Sequence, residues 1–504
     1  MRTQNADSTS NGYGQHSFGF VREYAEAMRF GVAVAAVVFA VLLSITVGPL
    51  SAHGETLAPS GCPVFHCNVE ATGVVDQAVI PNVLVSNSNG SLGTLLYQGC
   101  SGNGSILTCL YSIDAATGAA AGTLKVLNAS TVQPLWGSAG VPNSYNLSPS
   151  GSAYGQVPLN FSDGTIAAGD NSYYVHYSAQ GAVLAKASLS GSGTDFGMTP
   201  ISTSHGVVSQ TNGVLTLIDL KTWKSVSTLK LKEPGTGNAV RLVSPSSGAP
   251  GVLYAVAYAS KTKAGWLYSV GVNPRTNALV VNSSFAFKGS AGASPVVVLP
   301  SISGLPDNTI LLATPGLDSE PDGQSYLIAV EDNPSTGLQL VWSIPVAQPV
   351  LFTPTVDPNS TSLFYTVPGS PYVYQASLQT GSPIANFNIQ TIGGFGNQFL
   401  LSGHLGTSVN GSITTLLLGT IVTPPGGASI QYALAFQPIA APETLVWSQG
   451  LDITTVPISS NSASPNVYTA AWNFAPSTQA NLACVVVVSV EGDNLSTIVS
   501  LCDH

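Results

Sequence analysis

Only 8% of the 504 residues are charged, and the formal net charge is −10. Soluble globular domains carry about 25% charged residues, so this composition excludes a series of helix-rich domains with charged surfaces. No Lys or Arg follows Lys288, although 12 acidic residues do. Because a phosphate backbone requires clustered cations, we expect no nucleic-acid partner.

The first predicted element is an uncharged apolar helix at Phe30–Leu50, which is long enough to span a bilayer. Arg22 and Arg29 precede it, and the next basic residue is Lys125. This charge bias predicts a cytosolic N-terminus and export of the chain that follows. We interpret the segment as an uncleaved signal anchor of a single-pass membrane protein, and a secreted protein cleaved near Ala52 is the alternative.

The chain therefore divides into four predicted parts. Residues 1–29 form a cytosolic tail, residues 30–50 the signal anchor, residues 51–74 a linker and residues 75–504 the exported domain.

Six cysteines follow the apolar helix, and they fall into three pairs that are close in sequence. These pairs are Cys62 with Cys67, Cys100 with Cys109, and Cys484 with Cys502. Exported chains meet an oxidising compartment, so we expect disulfides, and we favour local pairing among the possible connectivities. Zinc binding is disfavoured because the sequence contains no C-x-x-C motif.

The exported part also contains nine Asn-x-Ser/Thr sequons, which are glycan acceptors if the chain passes through a glycosylating secretory pathway. A chain rich in Asn, Ser and Thr forms sequons by chance as well. The candidate asparagines are Asn89, Asn103, Asn128, Asn146, Asn160, Asn282, Asn359, Asn410 and Asn494.

Residues 75–504 consist of short apolar runs between turn residues. The whole chain contains 52 Gly and 33 Pro, and such a composition is typical of an all-β protein. One pattern recurs eight times: an apolar strand, a short polar turn that often ends in Thr-Gly, and a second apolar strand. The turn residues are Gly118, Gly181, Trp223, Asn277, Gly337, Gly381, Glu443 and Asn494.

Successive turn residues lie 42 to 63 residues apart, which leaves room for four strands in each unit. Two further strand-like runs precede most hairpins, as Ser294–Ser301 and Asn308–Gly316 do in the fifth unit. Stacking such units around an axis buries both faces of each sheet. We therefore predict an eight-bladed β-propeller after the N-terminal helix, with seven blades as the alternative, and we disfavour a series of β-sandwiches.

Three of the runs carry a family resemblance: LYSIDAATG (Leu110–Gly118), LIDLKTW (Leu217–Trp223) and YLIAVEDNPSTGLQLVW (Tyr326–Trp342). They resemble the repeat of the PQQ-type, or quinoprotein alcohol dehydrogenase-like, β-propellers. In that repeat, a strand ending in Asp leads into a Thr-Gly turn, and the next strand often ends in Trp. The family usually has eight blades.

The residues at the matching positions are few. Trp342 and Trp447 hold the place of the closing Trp, and Asp114 and Asp219 hold that of the Asp before the turn. The resemblance implies either a dehydrogenase that uses PQQ and calcium or a non-catalytic member of the family. Family enzymes commonly have two adjacent cysteines against the cofactor, and this sequence has no adjacent pair. We therefore expect a non-catalytic member without PQQ or calcium.

Other chemistry is sparsely represented, and we single out no catalytic residue. Asp318, Glu320 and Asp322 alternate as carboxylates do at the start of a calcium loop, but Ala329 stands where the last Glu ligand is expected. We expect an exposed acidic loop there, with a metal site as the weaker alternative. His176, His205 and His404 lie too far apart along the chain to indicate a triad.

These patterns predict an exported, membrane-anchored propeller that acts as a non-catalytic binding or scaffold module for a protein or peptide partner. A quinoprotein-like oxidoreductase is one alternative. A carbohydrate-binding or cell-wall-binding propeller is another, with Trp136, Trp266 and Trp472 as candidate residues for stacking on sugars.

Overall fold

The computed structural model describes Leu57 and, with gaps, residues 74–502; most of the described side chains lie between residues 158 and 392. The chain forms two compact units, Met1–His53 and Gly54–His504, and the described residues belong to the second. The predicted tail and signal anchor thus lie outside the described residues. In the described part of the chain, no helix is both long enough and apolar enough to cross a membrane.

The second unit is nearly all-β, and its sheets are antiparallel meanders of strands that are consecutive in sequence. Two short strands precede the meanders, β1 (Val74–Val75) and β2 (Leu84–Asn87). Sheet 1 contains β3 (Thr94–Asn103), β4 (Ile106–Ile113), β5 (Gly122–Asn128), β6 (Pro134–Trp136) and β7 (Asn146–Leu147). Sheet 2 contains β8 (Leu159–Asn160), β9 (Ile166–Gly169), β10 (Tyr173–Tyr177) and β11 (Val183–Ser188).

Sheets 3 and 4 follow directly. Sheet 3 contains β12 (Asp195–Pro200), β13 (His205–Gln210), β14 (Val214–Asp219) and β15 (Lys224–Lys230). Sheet 4 contains β16 (Arg241–Leu242), β17 (Ser246–Ser247), β18 (Val252–Ala259), β19 (Ala264–Asn273) and β20 (Ala278–Lys288). Strands β16 and β17 both pair with β18 and together take the place of a single first strand.

Four more sheets follow in the described residues. Sheet 5 contains β21 (Val296–Val298), β22 (Thr309–Thr314), β23 (Ser325–Asn333) and β24 (Gly337–Val346). Sheet 6 contains β25 (Thr355–Asp357), β26 (Ser362–Thr366), β27 (Tyr372–Ser377) and β28 (Pro383–Asn388), followed by the one-turn helix α1 (Ile389–Ile392). Sheet 7 contains β29 (Phe399–Asn410), β30 (Ile413–Thr423), β31 (Ile430–Gln437) and β32 (Thr444–Leu451). Sheet 8 contains β33 (Val456–Ser464), β34 (Val467–Asn473), β35 (Ala483–Glu491) and β36 (Asn494–Cys502).

Local chemistry closes the turn between the third and fourth strands in sheets 2 to 6. The closing residue has a positive φ, between 51° and 85°, in each of these sheets: Gly181, Trp223, Asn277, Gly337 and Gly381. In sheets 3 to 6 a polar side chain four residues earlier accepts a hydrogen bond from the backbone N–H two residues further on. These side chains are Asp219, Asn273, Asn333 and Ser377. The turn residues predicted from the sequence are therefore the left-handed positions of these hairpins.

Two tryptophans connect neighbouring sheets through the same contact. Trp342 on β24 donates its Nε1–H to the carbonyl of Leu378 at 2.9 Å, and its ring lies against Gly381 in the turn of sheet 6. A Cβ added to Gly381 would lie 2.7 Å from the ring, so a glycine is required there. Trp136 on β6 packs in the same way against Gly181 of sheet 2.

Hydroxyl groups connect the first strands of neighbouring sheets. A Ser or Thr on the first strand of one sheet donates to the carbonyl of the proline that precedes the first strand of the next sheet. The pairs are Ser101 with Pro158 (2.5 Å), Thr199 with Pro245 (3.3 Å) and Ser246 with Pro295. These bonds satisfy buried polar groups and link the sheets along their first strands.

The apolar core lies between successive sheets. Leu217 of sheet 3 and Tyr268 of sheet 4 share one buried cluster, and Phe364 of sheet 6 and Phe436 of sheet 7 share another. At the end of the series, β29 contacts β33, and β33 in turn contacts β3 of sheet 1. The sheets thus stack face to face in chain order, and the last meets the first. This is the arrangement of the blades in a β-propeller.

The ends of the series are also joined by the short N-terminal strands. Strand β2 pairs in parallel with β36 of sheet 8, and β1 pairs in parallel with β29 of sheet 7. Leu57, in the predicted linker, forms an antiparallel bridge with Phe161 and packs against the core of sheets 2 and 3.

Sheet 1 differs from the predicted strand assignment. The hairpin predicted as its third and fourth strands consists of β4 and β5, which are its second and third. The predicted hairpin did not include the short outer strand β6, which carries Trp136. The contact of Trp136 with sheet 2 explains why such a short strand occupies this position.

Candidate functional site

A half-open groove of about 490 Å³ lies beside sheet 6 and the end of β24 in sheet 5. We name it the tyrosine groove. It is lined by Pro345 of β24, Tyr365 of β26, Tyr374 and Gln375 of β27, and Ile384 and Asn386 of β28, with a few smaller neighbours. The volume is within the usual range of ligand sites, about 300–1,000 Å³.

Two tyrosines form the wall of the groove. Tyr365 and Tyr374 are directly opposite each other on neighbouring strands, and their rings stack at a centroid distance of 5.2 Å and an angle of 17°. Tyr372 is two residues from Tyr374 on the same strand, and the two rings lie 6.1 Å apart. The alternation of side chains along a strand places Tyr372 and Tyr374 on the same face.

Hydrogen bonds fix the polar groups of the wall. The hydroxyls of Tyr374 and Ser370 lie 2.8 Å apart, and Gln375 donates its Nε2–H to Ser362 at 2.9 Å. Burial, with a smaller contribution from Tyr374, raises the pKa of Tyr365 to about 12. Its phenol therefore keeps its proton at neutral pH and is unsuited to act as a general base.

Strand β28 supplies the open side of the groove. Ile384 is 55% exposed, and Asn386 lies opposite Tyr374 in the strand register. None of the lining residues is charged. Stacked phenols, amides, prolines and an exposed aliphatic side chain bind ligands through apolar contact and neutral hydrogen bonds. The lining offers no nucleophile paired with a base and no acid paired with a base.

A second aromatic group lies between sheets 2 and 3. The His176 imidazole stacks on Trp223 at a centroid distance of 4.1 Å and an angle of 13°, and the edge of Phe161 contacts both rings. Burial lowers the pKa of His176 to about 4, although the attraction to Asp163 opposes that shift. This group packs within the core and offers no open cavity for a ligand.

The acidic residues and histidines singled out from the sequence form no common site in the described residues. Asp318, Glu320 and Asp322 lie outside the described residues. Within the part of the chain that the structure describes, no three His, Cys, Asp or Glu side chains come close enough to hold a metal ion. His176 and His205 lie on β10 and β13, in different sheets, and His404 lies on β29.

The prediction that Trp136 stacks on sugars is wrong. Its side chain is only 2% exposed, because the ring packs against the turn of sheet 2. Trp266 is half-buried and packs against the core of sheets 3 and 4. The side chain of Trp472 lies outside the described residues.

The predicted glycan site at Asn160 is also wrong for the folded chain. Asn160 is fully buried, donates its Nδ2–H to Ser101 at 2.7 Å and accepts a hydrogen bond from Thr108 at 2.8 Å. A glycan on the Nδ2 atom would disrupt this network. Asn282 and Asn359 are exposed, so the fold leaves both accessible to modification.

The remaining sequons stay predictions. Asn103, Asn128, Asn146, Asn410 and Asn494 lie at the ends of strands, but their side chains are outside the described residues, as is all of Asn89.

The strand registers bring two of the predicted cysteine pairs together. Cys100 is directly opposite Cys109 in sheet 1, and Cys484 is directly opposite Cys502 in sheet 8. Directly opposite residues on antiparallel strands have closely spaced Cβ atoms, as a disulfide requires. Cys62 and Cys67 lie outside the described residues.

Sequence reasoning missed the tyrosine groove because, among the tyrosines and tryptophans near loops, it named only three tryptophans. The available signal was Tyr372-x-Tyr374 on a predicted strand, which places two phenols on one face. The partner Tyr365 could not be assigned without the strand register.

No family model matches the chain, and no curated protein matches it. One similar solved structure is the dihydro-heme d1 dehydrogenase NirN in complex with DHE, with 12% identity, a TM-score of 0.48, and coverage of 84% of this chain and 77% of that one. Another is the WD40 domain of Toxoplasma gondii coronin, with 12% identity, a TM-score of 0.43, and coverage of 71% and 87%. At these scores the similarities carry no statement about what this chain does. Its propeller arrangement follows from its own sheet order and contacts.

Proposed function

We propose that this chain is an exported, membrane-anchored β-propeller of eight blades that binds a protein partner without catalysing a reaction. The eight sheets present in the described residues support the blade number. The apolar run at residues 30–50 and the basic residues before it support a single-pass anchor with a cytosolic N-terminus. Secretion after cleavage remains the alternative location.

The observation that carries the binding proposal is the tyrosine groove. Its wall of stacked phenols is rigid, because the Tyr374 hydroxyl is hydrogen-bonded to Ser370 and the Tyr374 ring stacks on Tyr365. Rigid tyrosines provide large amphipathic contact areas at a low entropy cost. Grooves lined by aromatic side chains accept extended, proline-containing peptides, so we propose that an extended segment of the partner binds here.

The resemblance to the PQQ-type repeat is compatible with this proposal, because it concerns the fold and not the activity. We propose that the chain uses neither PQQ nor calcium. The support is that the sequence lacks the adjacent cysteines common in the family enzymes and has no Lys or Arg after Lys288 to hold a quinone from the second half.

The test compares two exposed aliphatic residues at matching positions. Ile384 is 55% exposed in the groove and lies three residues after the turn glycine Gly381. Leu340 is 53% exposed on the outer strand of the neighbouring sheet and lies three residues after the turn glycine Gly337. The purified full chain is used to select binders from a random peptide library. We expect extended, proline-containing peptides whose affinity falls at least about tenfold in Ile384→Asp, because a buried contact is replaced by a charge. Leu340→Asp should bind as the parent chain does.

Equal losses in the two variants would contradict binding in the groove. Dye reduction with an alcohol after addition of PQQ and calcium would instead favour the oxidoreductase. Binding of neutral oligosaccharides that is sensitive to Ile384→Asp would favour the carbohydrate alternative.

A further inference from the structure

Six basic residues meet at one end of sheets 3 and 4, whereas sheets 5 and 6 line the tyrosine groove. This is the end where β15, β18 and β20 finish and where β16 and β19 begin. We call these residues the basic cluster, and all of them are exposed: Lys230, Lys232, Arg241, Lys261, Lys263 and Lys288.

A buried carboxylate holds the two sheets together at this end. Glu233 follows β15 and is only 4% exposed. It accepts hydrogen bonds from Thr236 at 2.5 Å and Asn238 at 2.6 Å within its own connection, and one from Thr262 in the turn between β18 and β19. Because Thr262 stands between Lys261 and Lys263, this contact brings both lysines to the segment that contains Lys232.

The backbone strengthens this arrangement. The hydroxyl of Tyr268 donates to the carbonyl of Lys232 at 3.0 Å, which fixes the start of the connection on sheet 4. Lys263 adopts a left-handed backbone conformation with φ 56°, which is uncommon for a residue with a side chain. The turn therefore keeps a lysine where a glycine would be less strained.

The described carboxylates neutralise little of the charge on the members of the basic cluster other than Lys288. Hydrogen bonds, led by that from Thr236, hold the pKa of the Glu233 carboxyl below its usual value, and its oxygens face these neutral donors. Asp195 is a further acidic residue at this end of sheet 3, at the start of β12. Within the part of the chain that the structure describes, no salt bridge involves Lys230, Lys232, Arg241, Lys261 or Lys263.

The whole chain shows the same segregation of charge. Ten of its 14 basic residues lie between residues 186 and 288, and the segment after residue 288 has none. The basic cluster is therefore the strongest positive feature among the described residues that belong to the predicted exported part.

The spacing of the cluster indicates the shape of the ligand. Arg241, Lys261, Lys263 and Lys288 lie along successive strand ends of sheet 4, which are about 4.8 Å apart. The row therefore extends roughly 14 Å before sheet 3 adds its lysines. A small anion would contact one or two of these cations, whereas a linear polyanion would contact the whole row. Lysine ammonium groups are mobile, hydrated point charges suited to such multiple contacts.

The surroundings distinguish among polyanions. The nearest exposed aliphatic side chains in the described residues, Val226 and Val281, lie towards the other end of the outer strands and could not insert into a bilayer beside the cluster. Of the aromatic rings beside the cluster, Phe287 and Tyr268 are buried and Trp266 packs against the core. Tyr258, directly opposite Arg241, is half-buried, and one such ring does not provide the succession of stacking surfaces that binds single-stranded nucleic acids. We infer that the basic cluster binds a linear acidic polysaccharide that carries carboxylate or sulfate groups.

The test uses two matched sets of substitutions in the full chain. The first set, Lys232→Gln, Lys261→Gln and Lys263→Gln, removes three charges from the basic cluster. The control set, Lys221→Gln, Lys224→Gln and Arg275→Gln, removes three exposed charges from the opposite end of the same sheets. Binding to polygalacturonate, heparin and neutral dextran is measured by calorimetry. The salt concentration is varied from about 50 to about 300 mM, because salt screens exposed charges more strongly as its concentration rises.

We expect the parent chain to bind at least one of the two acidic polymers and not dextran, with an affinity that falls as salt rises. The first set should lose about tenfold or more in affinity, and the control set about twofold or less. Thermal unfolding of both variants verifies that they remain folded. Binding to neither acidic polymer, or equal losses in the two sets, would overturn the inference.

Tighter binding to vesicles of anionic phospholipid or to DNA, with the same dependence on the first set, would also overturn it. These outcomes do not involve the tyrosine groove. The failure of this inference is therefore distinguishable from failure of the peptide-binding proposal.

Discussion

His176 of sheet 2 and Trp223 of sheet 3 stack their rings within the core that the two sheets share. Trp223 is the left-handed residue of the turn in sheet 3, with φ 51°, and its side chain is 4% exposed. A tryptophan at such a position is strained, and its stacking on His176 and Phe161 explains why it is tolerated. The contact favours a neutral imidazole, because burial lowers the pKa of His176 to about 4.

This lowered pKa predicts a loss of stability in acid. The unfolded chain binds a proton near pH 6.5, whereas the folded chain binds it near pH 4. The stabilisation is therefore complete above pH 6.5 and is lost as the pH falls towards 4, by about 3 kcal/mol at most. His176→Phe keeps the ring stack and removes the titration, so we expect a flatter profile of the thermal midpoint between pH 7 and 4.

The control for this prediction is Phe161→Leu, which changes the same group of packed rings without removing a titratable side chain. It should keep the slope of the parent chain. An unchanged slope in His176→Phe would show that other groups cause the acid sensitivity.

At the scale of the element, the repeated hairpin turn is what the sequence predicted best. The turn residues read from the repeat are the left-handed positions in sheets 2 to 6, because polar side chains such as Asp219 and Asn333 determine these turns locally. The contacts between elements could not be predicted in this way. Trp342 was placed at the end of its strand, but its packing against Gly381 depends on the next sheet.

The contact between Trp342 and Gly381 predicts the effect of adding one methyl group. Gly381→Ala should destabilise the chain by about 1–2 kcal/mol for its left-handed backbone and by about 1–3 kcal/mol more for overpacking against the ring. Gly237→Ala is the matched control, since Gly237 also has a positive φ, 72°, and its added Cβ would meet no atom within 4 Å. Chemical denaturation of both variants measures the difference, and equal losses would exclude a structural role for the tryptophan contact.

At the scale of the whole molecule, the seam between sheets 8 and 1 closes the series of sheets. Strand β3 contacts β33 and β34 there, and β2 adds a parallel strand to β36. The two cysteine pairs in strand register lie in these same two sheets, at Cys100 with Cys109 and Cys484 with Cys502. Covalent links at both sides of the seam would reinforce the place where the two ends of the chain meet.

We therefore predict disulfides at both pairs. Mass spectrometry of non-reduced peptides from the full chain should identify the two local links. Replacing Cys484 and Cys502 by Ser should destabilise the seam by about 3 kcal/mol, given the length of the closed loop. Replacing Ser460 and Ser500 by Ala, which removes no cysteine, provides a comparison within sheet 8. Free thiols at the four positions, or links between sheets 1 and 8, would contradict local pairing.

The sequence by itself determined the all-β class, the four-stranded units and the left-handed turns, because these follow from strand periodicity and turn chemistry within a few residues. It also predicted a signal anchor in the apolar segment at residues 30–50. Only the tertiary structure decided which residues from different strands and sheets meet: Tyr365 with Tyr374, Glu233 with Thr262, and Asn160 with Ser101. Such contacts depend on strand register and on packing between sheets, which no local pattern of residues encodes.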